Sequence, residues 1–126
     1  MAPSLPYGAT IMEHFRRPRN QGALSDADVA REGANPLCGD RVRIELAVRN
    51  GRVADARFTA NACAISVAAA SLLTERVRGM ATAEASALRD DDVLVALGGD
   101  VPAARRACAV LPLATMRAAL AALAGA

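Results

Sequence analysis

Three thiols and one carboxylate are the side chains of this sequence that could act together: Cys38, Asp40, Cys63 and Cys108. Cys38 and Asp40 stand two apart in Asn35-Pro36-Leu37-Cys38-Gly39-Asp40, just ahead of a strand pattern. In extended backbone, side chains at i and i+2 share a face, so both can reach one point. Gly39 between them lets the backbone bend towards it. Thiolates suit zinc or an iron–sulfur cluster, and a carboxylate can complete four-coordination. No Cys-x-x-Cys pair occurs, so the pattern is not that of a zinc ribbon or finger. A site made from these residues must be assembled from three separate loops. An oxygen ligand on an otherwise sulfur site predicts a cluster held loosely, as a donor needs.

Other chemistries are removed by what the sequence lacks. All 15 basic residues are arginine, so there is no lysine for a Schiff base, a P-loop or a general base. The one histidine, His14, has no nucleophile elbow near it and no triad to join. It is read as a surface or interhelix residue. A net charge of +2 argues against nucleic acid or a membrane surface as the main partner. The cluster Arg16, Arg17 and Arg19 is read as solvated surface. Asp90-Asp91-Asp92 could suggest a hard metal site, but acidic residues at a helix start explain it more simply. Three cysteines with no secretory signal imply a reducing cytosol, and thiols that are catalytic or metal-binding rather than disulfides. Small buried hydrophobes are the competing reading. It weakens because all three sit at element boundaries beside polar or charged groups.

The elements that must position these residues follow from periodicity. The 126 residues suit one domain, with residues 1–6 a loose, flexible lead. Aromatics make up only 2% of the chain, so alanine and aliphatics must fill the core and helices must approach the sheet closely. A helix is predicted over 7–15, with Tyr7, Ile11, Met12 and Phe15 near one face, ended by Pro18. A short edge strand is predicted near 28–33. Residues 41–48 alternate polar and apolar, a half-buried strand. Asn50-Gly51 then makes a hairpin turn into a return strand over 53–59. The hairpin brings the Cys38 loop and Cys63 to one end of the sheet. A helix over 64–78 follows, with Asn61 as cap, Cys63 in its first turn, Ile65, Ala69, Leu72 and Leu73 towards the sheet, and Gly79 as its stop. Short helices are expected after Thr82 and Asp90 as caps. Pro102 opens a further turn, and Pro112 begins or kinks a last helix with Leu113, Met116, Leu120 and Leu123 as its stripe. Arg105 and Arg106 would favour a thiolate at Cys108. No stretch is read as membrane-spanning.

Motifs spread along the chain carry a resemblance. They are His14-Phe15-Arg16-Arg17-Pro18-Arg19-Asn20, Cys38-Gly39-Asp40, Asp55-Ala56-Arg57-Phe58 with Cys63-Ala64-Ile65-Ser66, Ser71-Leu72-Leu73-Thr74-Glu75 with Gly79, and Arg105 to Cys108. In this order they resemble the iron–sulfur cluster assembly scaffolds of the IscU and NifU N-terminal type and their SufU relatives, from about Tyr7 to the C-terminus. The resemblance implies an α+β fold, SufE/IscU-like, with a small antiparallel sheet of about three strands packed on one side by several helices. It puts the ligands of a transient [2Fe-2S] cluster at Cys38, Asp40, Cys63 and Cys108, where apo or SufU-like forms can hold zinc.

The implied role is to accept persulfide sulfur from a cysteine desulfurase and to pass the finished cluster to carrier or acceptor proteins; Cys108, beside Arg105 and Arg106, is the candidate persulfide acceptor. That describes an assembly scaffold more than a turnover enzyme. A zinc-containing, SufU-type sulfur acceptor that activates a desulfurase is the alternative, and a metal-free degenerate member the third reading. A cytoplasmic monomer or weak homo-oligomer is expected. Ala107 stands where the bacterial and mitochondrial scaffolds carry histidine and the SufU branch lysine. The Leu-Pro-Pro-Val-Lys-type segment read by Hsp70-type chaperones is not intact in Asp100-Val101-Pro102-Ala103-Ala104-Arg105, so that partner is not expected.

Overall fold

Alternation of polar and apolar side chains between residues 40 and 61 produces the centre of the molecule, a β-hairpin extended by one more strand. The computed structural model describes residues 7–37, 39–99 and 101–125. Strands β1 (Val29–Asn35), β2 (Asp40–Arg49) and β3 (Arg52–Asn61) form an antiparallel meander in the order β1-β2-β3. Asn50 and Gly51 both have positive φ, 55° and 74°, as a two-residue hairpin turn of the twist-matching kind requires. Val42, Ile44 and Leu46 point from β2 into the core. On β3 the inward residues are Val53, Ala56 and Phe58, which breaks the period of two. The register explains it: Val53 pairs with Val48 and Asp55 with Ala47, so Ala54 is an extra residue, a bulge.

Helix α1 (Ala9–Arg16) ends one residue before Arg17-Pro18. Its inner face is Ile11, Met12 and His14. Phe15, expected there, is 38% exposed, because His14 takes the inward position and bonds Ser71. After α1 the chain runs along the outer edge of β3, where Phe58 N–H donates to Asn20 O and Gly22 N–H to Phe58 O. Helix α2 (Ala64–Val77) is buried on nearly every face, including Ile65, Ala68, Ala69, Ala70, Leu73 and Val77, as a helix enclosed by other elements must be. Its alanines let sheet and helices approach closely. Leu72 is only partly buried. Gly79, at φ 88°, turns the chain out of the helix and donates to Val53 O.

Several predicted caps are corrected. Asn61 still belongs to β3, paired with Arg41, so the N-cap of α2 is Cys63. Helix α3 (Thr82–Ser86) is capped at Ala81 and α4 (Asp90–Ala96) at Arg89. In each the third helical residue reaches back: Ala81 N–H donates to Glu84 and Arg89 N–H to Asp92. Helix α5 (Arg106–Ala124) follows a 3-10 turn, Ala103–Arg105. Pro112 neither opens α5 nor ends it but lies inside, buried. The segment Ala103–Ala124 is long and apolar enough to cross a membrane by length and composition, contrary to the sequence reading. Half of it is buried in the protein, and Leu113, Met116 and Leu120 fill the core against the sheet and α2. It is a core helix.

Helix α5 comes close to the sheet at Gly33. A Cβ added there would collide with Thr115 Oγ1 and crowd Leu111. Glycine at this point of β1 is what lets α5 lie flat on the strands.

Candidate metal centre

One end of the sheet collects the chemistry. Asp40 is the first residue of β2, Cys63 lies two residues past the end of β3 and caps α2, and Cys108 lies in the first turn of α5. Antiparallel pairing puts the start of β2 beside the end of β3, with Arg41 opposite Asn61. A carboxylate oxygen of Asp40 and the sulfurs of Cys63 and Cys108 all lie within 4.8 Å of one another. In a tetrahedral zinc site with Zn–S near 2.3 Å, the sulfurs sit roughly 3.7 Å apart. Small side-chain rotations would therefore bring the three donors onto one ion. Two sulfurs and an oxygen are a donor set that fits zinc or cluster iron.

Cys38 lies outside the described residues. Its neighbour Gly39 has φ 74° and donates to Asn35 O. The extended-backbone argument that linked positions 38 and 40 therefore stops at Asp40, where the strand begins. Leu37 is 94% exposed.

Hydrogen bonds fix the centre. Cys63 N–H donates to Asp40 Oδ1 at 3.0 Å. No side chain of α2 itself caps that helix, so Asp40 supplies a cap from another strand, next to the positive end of the helix dipole. Ser66 Oγ is 2.8 Å from Asp40 Oδ2 and 2.9 Å from the Cys108 carbonyl oxygen. The Cys63 thiol donates weakly to the same hydroxyl, at 3.9 Å. Asp40 and Cys108 are buried while Cys63 is partly exposed, so the centre meets solvent on the Cys63 side.

Of the two arginines expected beside Cys108, Arg105 hydrogen-bonds it. That contact first, then the nearby Cys63 and Tyr7, raises Arg105 above its ordinary value. Arg106 pairs with Asp91, 3.4 Å away. The acidic run at 90–92 is thereby accounted for by capping and this ion pair. His14 is no ligand. Its Nδ1 lies 2.8 Å from Ser71 Oγ, eight residues or ~12 Å along α2 from Cys63. Ser66 was not foreseen as part of the centre. Its signal in the sequence is a hydroxyl three residues after a thiol at a helix start.

A three-stranded antiparallel sheet, helices on one face and a thiol–carboxylate cluster at one sheet end define an α+β protein with a candidate metal centre. The family described as NifU-like N terminal domain matches residues 6–125. The chain belongs to that family. It is 35% identical over 114 residues to the iron–sulfur cluster assembly scaffold protein IscU 1 of Archaeoglobus fulgidus, covering 90% of this chain and 74% of the relative. It is 41% identical over 73 residues to the zinc-dependent sulfurtransferase SufU of Bacillus subtilis, covering 58% of this chain and 49% of the relative. A crystal structure from Fervidobacterium islandicum AW-1, described as an iron–sulfur cluster assembly scaffold for the SUF system, superposes with a TM-score of 0.78. At 23% identity, over 91% of this chain and 96% of that one, it speaks for the fold.

Proposed function

We propose that this protein is a scaffold for iron–sulfur cluster assembly. The observation that carries the reading is the convergence of Asp40, Cys63 and Cys108 within 4.8 Å at one sheet end, in a chain that matches the family over residues 6–125. Cys38, two residues before Asp40, is assigned as the remaining sulfur ligand. In this reading a cysteine desulfurase presents a persulfide. The thiolate of Cys108 attacks its outer sulfur, forms a new S–S bond and releases the desulfurase thiolate. Arg105, bonded to Cys108, stabilises the attacking anion. Iron enters at the thiolates and Asp40. Each sulfane sulfur takes two electrons from an external reductant to become sulfide, and the [2Fe-2S] product passes to an acceptor protein. The chain works in the cytoplasm, where thiols stay reduced.

Asp40 gives the product a way out, since carboxylate oxygen binds cluster iron less firmly than thiolate sulfur. Asp40→Ala should therefore change the rate at which a reconstituted cluster passes to an apo-acceptor, followed by the visible absorbance. Equal transfer rates would remove this role.

A second reading, a zinc-bound sulfur acceptor that activates a desulfurase, is favoured by the likeness to the sulfurtransferase over 73 residues. Anaerobic reconstitution with iron and sulfide separates the two. A charge-transfer spectrum with acid-labile sulfide supports the scaffold. A colourless chain keeping one firmly held zinc supports the sulfur acceptor, and a colourless, metal-free chain overturns both.

A further inference from the structure

Ser66 touches every described member of the centre. Its hydroxyl is fully buried and sits 2.8 Å from the Asp40 carboxylate, 2.9 Å from the Cys108 carbonyl and 3.9 Å from the Cys63 sulfur. We propose that Ser66 is a positioning residue for the centre: it fixes the orientation in which Asp40 offers its carboxylate to a bound metal. This rests on the reading of Asp40, Cys63 and Cys108 as ligands.

The hydrogen bonds supply the reason. A serine hydroxyl has one proton, and here it has two acceptors. The proton is shared between them in a three-centre hydrogen bond, so Ser66 holds the carboxylate and the carbonyl at once. Cys63 N–H holds Oδ1 and Ser66 O–H holds Oδ2, so both carboxylate oxygens are anchored. Removing the Ser66 anchor loosens the hold on Oδ2, and more of the orientation must then be fixed on metal binding. Loss of an outer hydrogen bond to a ligand of this kind costs about 10- to 100-fold in metal affinity.

The Cys108 carbonyl explains why a hydroxyl stands at this spot. Pro112, four residues on in α5, has no N–H to give that carbonyl. The carbonyl loses its usual helical donor, and Ser66 Oγ donates to it from α2 at 2.9 Å. Proline inside α5 thus keeps the α2 hydroxyl and the Cys108 turn together, with Asp40 on the third side. A single buried side chain links the strand that carries the oxygen ligand to the two helices that carry the sulfurs.

The test measures zinc affinity of the full chain by competition with a chromophoric chelator, in wild type, Ser66→Ala, Asp40→Ala and the double variant. Ser66→Ala is expected to bind Zn²⁺ about 10-fold or more weaker than wild type. In the Asp40→Ala background the same change should alter affinity less than about twofold, because its effect runs through the carboxylate. Pro112→Ala gives the Cys108 carbonyl a helical donor, and in that background the loss on Ser66→Ala should persist. Equal affinity of Ser66→Ala and wild type overturns the proposal. So does a loss that persists without Asp40, or one that vanishes with Pro112→Ala, since each would make Ser66 a strut for α5. A wild-type chain with no measurable zinc binding would instead overturn the ligand reading itself, and this inference with it.

Discussion

At the scale of single residues, His14 and Ser66 show how α2 uses hydroxyls that a hydrophobic pattern passes over. Ser71 Oγ accepts Arg19 N–H at 2.8 Å and lies 2.8 Å from Nδ1 of His14. Burial, and then the charge of Arg19, lower the His14 pKa from 6.5, while Glu75 and Glu13 act in the opposite direction. A lowered folded-state value means that the unfolded chain takes up the proton first. The contribution of His14 to stability is complete above about pH 6.5 and falls as pH drops towards the folded-state pKa. Urea midpoints should therefore decline from pH 7.5 to pH 5, and His14→Asn should flatten that decline. Parallel curves for variant and wild type would exclude His14 as the source. The sequence exposes the ligand types readily, because thiols and a carboxylate beside a strand start are rare enough to single out. It did not reveal that Arg106 pairs with Asp91, or that Ser66 joins the centre, since both depend on neighbours brought in by folding.

At the scale of elements, local signals were reliable where backbone chemistry is local. Asn50-Gly51 gave the hairpin, alternation gave β2, and the alanine-rich run closed by Gly79 gave α2. Features that depend on tertiary partners were hidden. The Ala54 bulge leaves an apolar alanine on an otherwise regular strand. The cap of α2 comes from Asp40, on a different element. Pro112 reads as a helix start until Ser66 is seen beside the carbonyl it strands. Gly33 belongs to the same group: in sequence it closes a short edge strand, and in the fold it is where α5 meets β1. Gly33→Ala would push its methyl group against Thr115, whose Oγ1 is held by the Leu111 carbonyl at 2.8 Å and has little freedom to move aside. Overpacking of this kind costs about 1–3 kcal/mol. Urea unfolding of Gly33→Ala should show a loss in that range, and Thr115→Ala in the same chain should recover part of it, a coupling of ~0.5 kcal/mol or more. A Gly33→Ala chain as stable as wild type would mean that the strand and helix separate at no cost.

At the scale of the whole molecule, the centre is a junction. Its described donors come from the start of β2, the N-cap of α2 and the first turn of α5, so an ion bound there ties the sheet to both core helices. In the unfolded chain these donors are far apart in sequence and bind weakly as a set, so binding energy appears as folding stability. At a free zinc concentration 100-fold above Kd the gain is about 2.7 kcal/mol. For a domain of this size that corresponds to a rise in Tm of roughly 10 °C. The rise should grow with the logarithm of zinc concentration and disappear on adding a chelator. Cys63→Ser should lose most of it while unfolding close to the metal-free wild type, because Cys63 is partly exposed and α2 takes its cap from Asp40. If zinc left Tm unchanged, or raised it equally in Cys63→Ser, the ion would be binding elsewhere and the junction would have no part in stability. A shift confined to chains with the centre intact would tie loading to the docking of α2 and α5 on the sheet. Release of the cargo would then loosen the same contacts that its arrival tightened.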